Sequence, residues 1–121
     1  MFLATSSKPG RLLRLDYIGR IRPEELARCA EDTKTLLAEL PRGFRLLADF
    51  SQLEAMDLAC MAEIGRMMEL LDQSGVGLIV RVFPDPSKDI GFNIVGIFHY
   101  PNNPRVITCQ TMTEAGKALA I

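Results

Sequence analysis

Two short runs constrain this chain most. Arg45–Phe50 (RLLADF) and Gly77–Phe83 (GLIVRVF) are apolar on both faces over most of their length. A strand of that kind is covered on both sides, as in a sheet with helices packed above and below it. Between the two runs, Met61, Ile64, Met68 and Leu71 keep helical spacing and form one apolar stripe. Strand, helix, strand in that order predicts a parallel pair joined by a right-handed crossover.

The flanking segments extend the same pattern. Phe2–Ser7 reads as a short edge strand, Lys8-Pro9-Gly10 as a turn, and Arg11–Ile18 as a second strand with Leu13, Leu15 and Tyr17 on one face. Together they predict a β-hairpin. Pro23 suits a first helical position, and Glu24 and Glu25 suit the positive end of the helix dipole. Leu26, Cys29, Ala30, Thr33, Leu36, Leu37 and Leu40 then share a stripe, and Pro41 and Gly43 stop the helix.

After Phe83, Pro84-Asp85-Pro86 ends the second buried strand. Ser87–Tyr100 has the length of a helix and carries Ile90, Ile94, Ile97 and Phe98, although Gly91 and Gly96 each weaken it by roughly 1 kcal/mol. Pro101-Asn102-Asn103-Pro104 is a turn, Arg105–Cys109 a short strand, and Thr111-x-x-Glu114 a capping box opening a last helix with Ala115, Ala118 and Leu119. The expected fold is α/β: a five-stranded, mostly parallel sheet with an antiparallel edge strand and about four helices, in one domain spanning 1–121.

Composition excludes several classes of function. The formal net charge of −1 gives no electrostatic case for nucleic acid or an anionic membrane. No apolar run is long enough to cross a bilayer, and the amino terminus lacks the features of a signal peptide. Cys29, Cys60 and Cys109 are dispersed, which argues against a disulfide framework or a zinc site and suits free thiols in a cytoplasm. No metal and no cofactor is expected.

Sites in open α/β sheets lie at the carboxyl ends of strands. Asp49 is read as ending the first of the two buried strands, and the segment after Phe50 as a loop, so that Asp49, Ser51, Glu54 and Asp57 gather at that end. Asp57 is equally a candidate helix N-cap, and Asp49 a turn former. Cys60 lies in the first helical turn, where a helix dipole lowers a thiol pKa, but it also falls beside the apolar stripe. His99 is the only histidine and has no sequence neighbours that would make it a triad member or ligand. Phosphate-binding glycine patterns are missing, and no catalytic set converges.

The segment Asp49-Phe50-Ser51-Gln52-Leu53-Glu54-Ala55-Met56-Asp57 resembles the D-x-S…M-D stretch of STAS domains. These are the anti-sigma-factor antagonists and the cytoplasmic domains of sulfate transporters. The order of elements from Arg11 onward, the Arg105-Val106-Ile107 strand and the Thr111–Leu119 helix are also similar to theirs, in particular to a bacterial SpoIIAA-like branch. The resemblance implies a non-catalytic regulatory module that binds a protein partner. Its contacts would be Asp49, Ser51, Glu54, Asp57, Leu58 and Cys60. One departure stands out. In the antagonists a phosphoacceptor serine follows the aspartate, whereas here Asp57 is followed by Leu58-Ala59-Cys60, with no hydroxyl.

The alternative is a small apolar-ligand or lipid-binding domain of the related Sec14 type, with a pocket lined by Met67, Met68 and the Ile90–Phe98 segment. That segment also predicts self-association. Ile90, Phe92, Ile94 and Phe98 stand among few charges, and one helix face can bury only part of such a set.

Overall fold

The computed structural model describes residues 1–85 and 90–120. Five strands, β1 (Phe2–Ser7), β2 (Leu12–Ile21), β3 (Arg45–Met56), β4 (Leu78–Val82) and β5 (Arg105–Cys109), lie side by side in sequence order. β1 and β2 are antiparallel, and every later neighbour is parallel. Helices α1 (Pro23–Leu37), α2 (Cys60–Gln73), α3 (Ile90–His99) and α4 (Met112–Leu119) connect or follow the strands. The expected fold class is therefore the observed one. Residues 86–89, the end of the expected turn and the first part of the expected 87–100 helix, lie outside the described residues.

Alternation along each strand sends side chains to opposite faces of the sheet. Leu13, Leu15 and Tyr17 of β2 join Leu46, Ala48 and Phe50 of β3 in the larger core, under α1, α2 and α3. Leu47, Val80, Val82 and Cys109 face the other way, where Ala115 and Leu119 of α4 cover them. This is why both central runs are apolar throughout. A row of rings crosses the larger core: Phe2, Tyr17, Phe50 and Phe83 come one from each end or strand in turn, with Phe92 of α3 tilted onto Phe50 and Phe83.

α1 begins at Pro23 as expected but ends at Leu37, and Leu40 is reached through a turn. Leu40 is still buried, so the stripe holds while the helix does not. Thr111 caps α4 as expected, its Oγ1 accepting from the Glu114 amide at 3.1 Å, but the Glu114 carboxylate reaches one residue beyond the N-cap amide that a capping box uses, accepting from the Gln110 amide at 3.2 Å.

β3 differs most from expectation. The segment read as a loop after Phe50 is strand as far as Met56. Its pairing with β2 slips twice, between Asp16 and Ile18 and again between Gly19 and Arg20, because β3 carries an extra residue each time. These are bulges, which break the alternation that a regular strand shows. Asp49 is therefore a mid-strand residue rather than the end of a strand.

Candidate functional site

The two bulges deliver β3 to a sharp corner with α2. At the first bulge the Ser51 amide leaves the ladder, and Asp49 Oδ1 accepts its hydrogen at 2.9 Å. The other carboxylate oxygen of Asp49 lies 3.5 Å from Arg14 Nη2. Arg14 Nε also donates to Asp16 at 3.0 Å. That hydrogen bond holds the Arg14 guanidinium above its ordinary pKa against the opposing effect of burial. Arg14, Asp16 and Asp49 share the sheet face that α4 leaves open, since Asp16 and Asp49 are register partners. Arg14 and Asp16 carried a signal in the sequence, two opposite charges two apart on one strand face. Only the register of β3 brings Asp49 to them.

The corner itself is tied down from below. The Asp57 amide meets the Ile21 carbonyl, the Cys60 amide donates to the Asp57 carbonyl at 2.9 Å, and the Met61 amide to the Leu58 carbonyl at 3.1 Å. The Asp57 side chain does not cap α2, whose start has no side-chain cap. It pairs instead with Arg20 Nη2 at 3.5 Å, in the open. Ser51, Gln52, Glu54 and Ala55 are exposed, and Leu58 is 86% exposed at the apex.

Cys60 belongs to the interior, with its thiol 3.6 Å from the Ile21 carbonyl. Burial, then the Asp57 carboxylate, pushes that thiol upward, opposite to what activation at a helix start requires. Cys60 thus has no surface to offer a partner. Asp49 is also buried and spends its carboxylate on Ser51 and Arg14. The outward-facing members of the sequence-derived set are Ser51, Glu54, Asp57 and Leu58.

The second set divides likewise. Met67, Met68 and Phe92 are interior, while Ile94 and Phe98 are exposed together with Ile97. Ile90 opens α3, and its side chain lies outside the described residues. The space between Met67, Met68, Phe92 and the sheet is a void of about 20 Å³, room for about one water and not for an acyl chain. The ring of His99 rests on Gly65 of α2, where an added Cβ would meet Nε2 at 2.7 Å, and its Nδ1 is 2.6 Å from Glu69 Oε1. His99 is thus a clasp between α2 and α3. Nothing in the sequence links it to Gly65.

Among the described residues, no group of three or more His, Cys, Asp or Glu side chains could hold a metal ion, and no helix is long and apolar enough to cross a membrane. Cys29, Cys60 and Cys109 are free thiols.

No family profile and no curated protein matches the chain by sequence. Solved structures do match it by fold. An uncharacterized protein of the DUF3478 family with a SpoIIAA-like fold, from Shewanella loihica PV-4, superposes with a TM-score of 0.74 at 11% identity, covering 98% of this chain and 92% of that one. The anti-sigma factor antagonist SpoIIAA in its unphosphorylated form gives 0.65 at 16% identity over 99% and 98% of the two chains. The Bacillus cell fate determinant SpoIIAA in the phosphorylated form gives 0.62 at 14% identity over 98% and 99%. The chain has the SpoIIAA-like (STAS) fold, end to end.

Proposed function

We infer that this SpoIIAA-like domain is a regulatory module that binds a protein partner through the β3–α2 corner, with Ser51, Glu54, Asp57 and Leu58 as its contacts. The observation that carries the reading is Leu58, 86% exposed at the apex of a corner whose backbone is hydrogen-bonded to β2. An apolar anchor on a rigid mount loses little freedom on binding. Glu54 and Asp57 beside it in the chain favour a partner with an apolar pocket and a basic rim. The filled space beneath α3 supports this reading over carriage of a lipid between Met67, Met68 and α3.

The corner has no hydroxyl at positions 58–60. A phosphate there would add about −1.5 to −2 charges beside Asp57 and repel a docked partner. Without an acceptor, binding is constitutive or is governed by ligand or expression level. Two surface variants test the site. Asp57→Lys and Leu58→Asp should each reduce recovery of the partner cross-linked in its own cells by about tenfold or more, a loss of ~1.4 kcal/mol. Neither should move the thermal midpoint by more than a few degrees, since surface changes of this kind usually stay within about 0.5 kcal/mol. Phosphopeptide mapping of the same protein should find positions 58–60 unmodified. Wild-type recovery by both variants, or a phosphorylated Ser51 that abolishes binding, sinks the reading.

A second contact surface is proposed on α3. Ile94, Ile97 and Phe98 are spaced i, i+3, i+4, so they form one exposed stripe, and a second copy of the chain can meet it without burying a charge. Sedimentation at micromolar concentration should show a dimer that Phe98→Asp dissociates. Phe92, being interior, is the wrong residue for that test. A monomer at all concentrations counts against the stripe as a self-association surface.

A further inference from the structure

A groove of about 360 Å³ opens between α3 and β5, on the side of the sheet that carries three helices. β5 is the edge strand there. Val106 is the register partner of Ile79, so it faces the same side as the larger core, yet it is 37% exposed because α3 stops short of covering it. Ile97 forms the opposite wall, and the turn from Pro101 to Pro104 closes one end.

This wall is built in advance. Asp72 of α2, itself buried, accepts from the Asn102 backbone amide at 3.2 Å and from its side-chain amide at 2.8 Å. The Asn103 amide donates to the Tyr100 carbonyl at 3.0 Å.

At the bottom lie Arg81 and Tyr100, both buried. The Arg81 guanidinium stands 5.9 Å from the centre of the Phe92 ring, which is one of the contacts it makes. Gly96 opens the way down to it. A Cβ at that position would lie 3.4 Å from the Tyr100 ring and 4.0 Å from Arg81 Nη2, and anything larger would occupy the groove. Burial pushes the Tyr100 phenol well above its ordinary range, so it stays neutral and can donate.

We propose that this groove binds a small carboxylate with an apolar body, an aromatic or short-chain acid, whose charged end meets Arg81 while its body lies between Ile97, Val106 and the prolines. The volume falls in the range of small-molecule sites, which combine apolar walls with a few convergent polar groups. A guanidinium has five donors, so it can take a carboxylate alongside the contacts it already makes. The site is independent of the partner-binding corner, because it is formed by α3, β4 and β5 rather than by β3 and α2.

Benzoate is the probe, with benzamide as its uncharged counterpart. Titration of the ¹⁵N-labelled chain should shift the amides of Gly96, Ile97, Asn103 and Val106 to saturation, with a Kd on the order of 1 mM for so small a ligand. Benzamide should bind at least about tenfold more weakly, because charge-assisted hydrogen bonds are the stronger kind. Gly96→Leu should abolish the shifts while leaving the spectrum otherwise folded, since leucine is the better helix former and Arg81 is untouched. Shifts that fail to saturate or that spread over the surface overturn the proposal. So does equal binding of benzamide, or undiminished binding by a folded Gly96→Leu.

Discussion

Phe50→Ala should cost about 3–5 kcal/mol and lower the thermal midpoint by on the order of 10–20 °C. The ring stacks on Tyr17 at 4.3 Å on one side and on Phe83 at 4.3 Å on the other, and Phe92 tilts onto it at 4.7 Å. The neighbours come from β2, from the residue that follows β4 and from α3, so the loss is shared by three parts of the fold at once. The space left behind closes poorly. Tyr17 and Phe50 stand on adjacent strands, whose separation is held near 4.8 Å by the hydrogen-bond ladder. The rings therefore cannot slide together, and a cavity remains. Aromatic pairs of this geometry add about 0.5–1.5 kcal/mol each beyond the area they bury. Denaturant and thermal unfolding of Phe50→Ala, with Phe50→Leu as the volume-retaining control, measure this. A loss below about 1 kcal/mol for the alanine variant would mean that the row of rings contributes little to stability.

Leu119→Ala should cost about 2–4 kcal/mol, and it should do so by freeing α4 before the rest of the protein unfolds. On this side of the sheet the core is small: α4 holds Leu47, Val80, Val82 and Cys109 with Ala115 and Leu119. Ala115 is already minimal, so Leu119 is the main side-chain anchor. The helix has eight residues, well short of the length at which a helix persists unaided in water. The Arg45 guanidinium donates to the Leu119 carbonyl and adds a backbone tether that the substitution leaves in place. Amide exchange decides the point. Residues 112–119 of the variant should exchange much faster than β3 and β4. Equal protection across α4 and the sheet would show that the two sides of the sheet unfold together and would reject local release.

The larger elements were legible because their signals are local. Val80 and Val82 alternate with Ile79 and Arg81 in a run that only a doubly covered strand explains, and β4 lies between β3 and β5 as that run requires. The Thr111-x-x-Glu114 pattern announced α4 by local chemistry, and the bonds that form stay within residues 110–114. Ser51–Met56 was illegible for the converse reason. Two bulges make its residues exposed or half-buried without a regular period, and a bulged polar strand looks the same as a loop until its partner is known. Cys60 was legible only in part. Its spacing put it beside the apolar stripe, and it is buried there, but the resemblance also counted it among the partner contacts, and the approach of the Ile21 carbonyl from β2 encloses it.

The sequence by itself determined the order of elements, the α/β class, the antiparallel edge strand and which runs are buried on both sides. Those follow from periodicity, turn chemistry and caps, and each depends on residues within about one element's length. It also determined that positions 58–60 hold no hydroxyl. The tertiary structure alone decided the rest. Strand register set Asp49 beside Arg14 and Asp16, packing enclosed Cys60 and exposed Leu58, and the notch at Gly65 received His99. Only the spacing of α3 from β5 left a groove leading to a buried arginine. Each of these joins residues far apart in the chain, and a period or motif carries no information about a partner it does not contain.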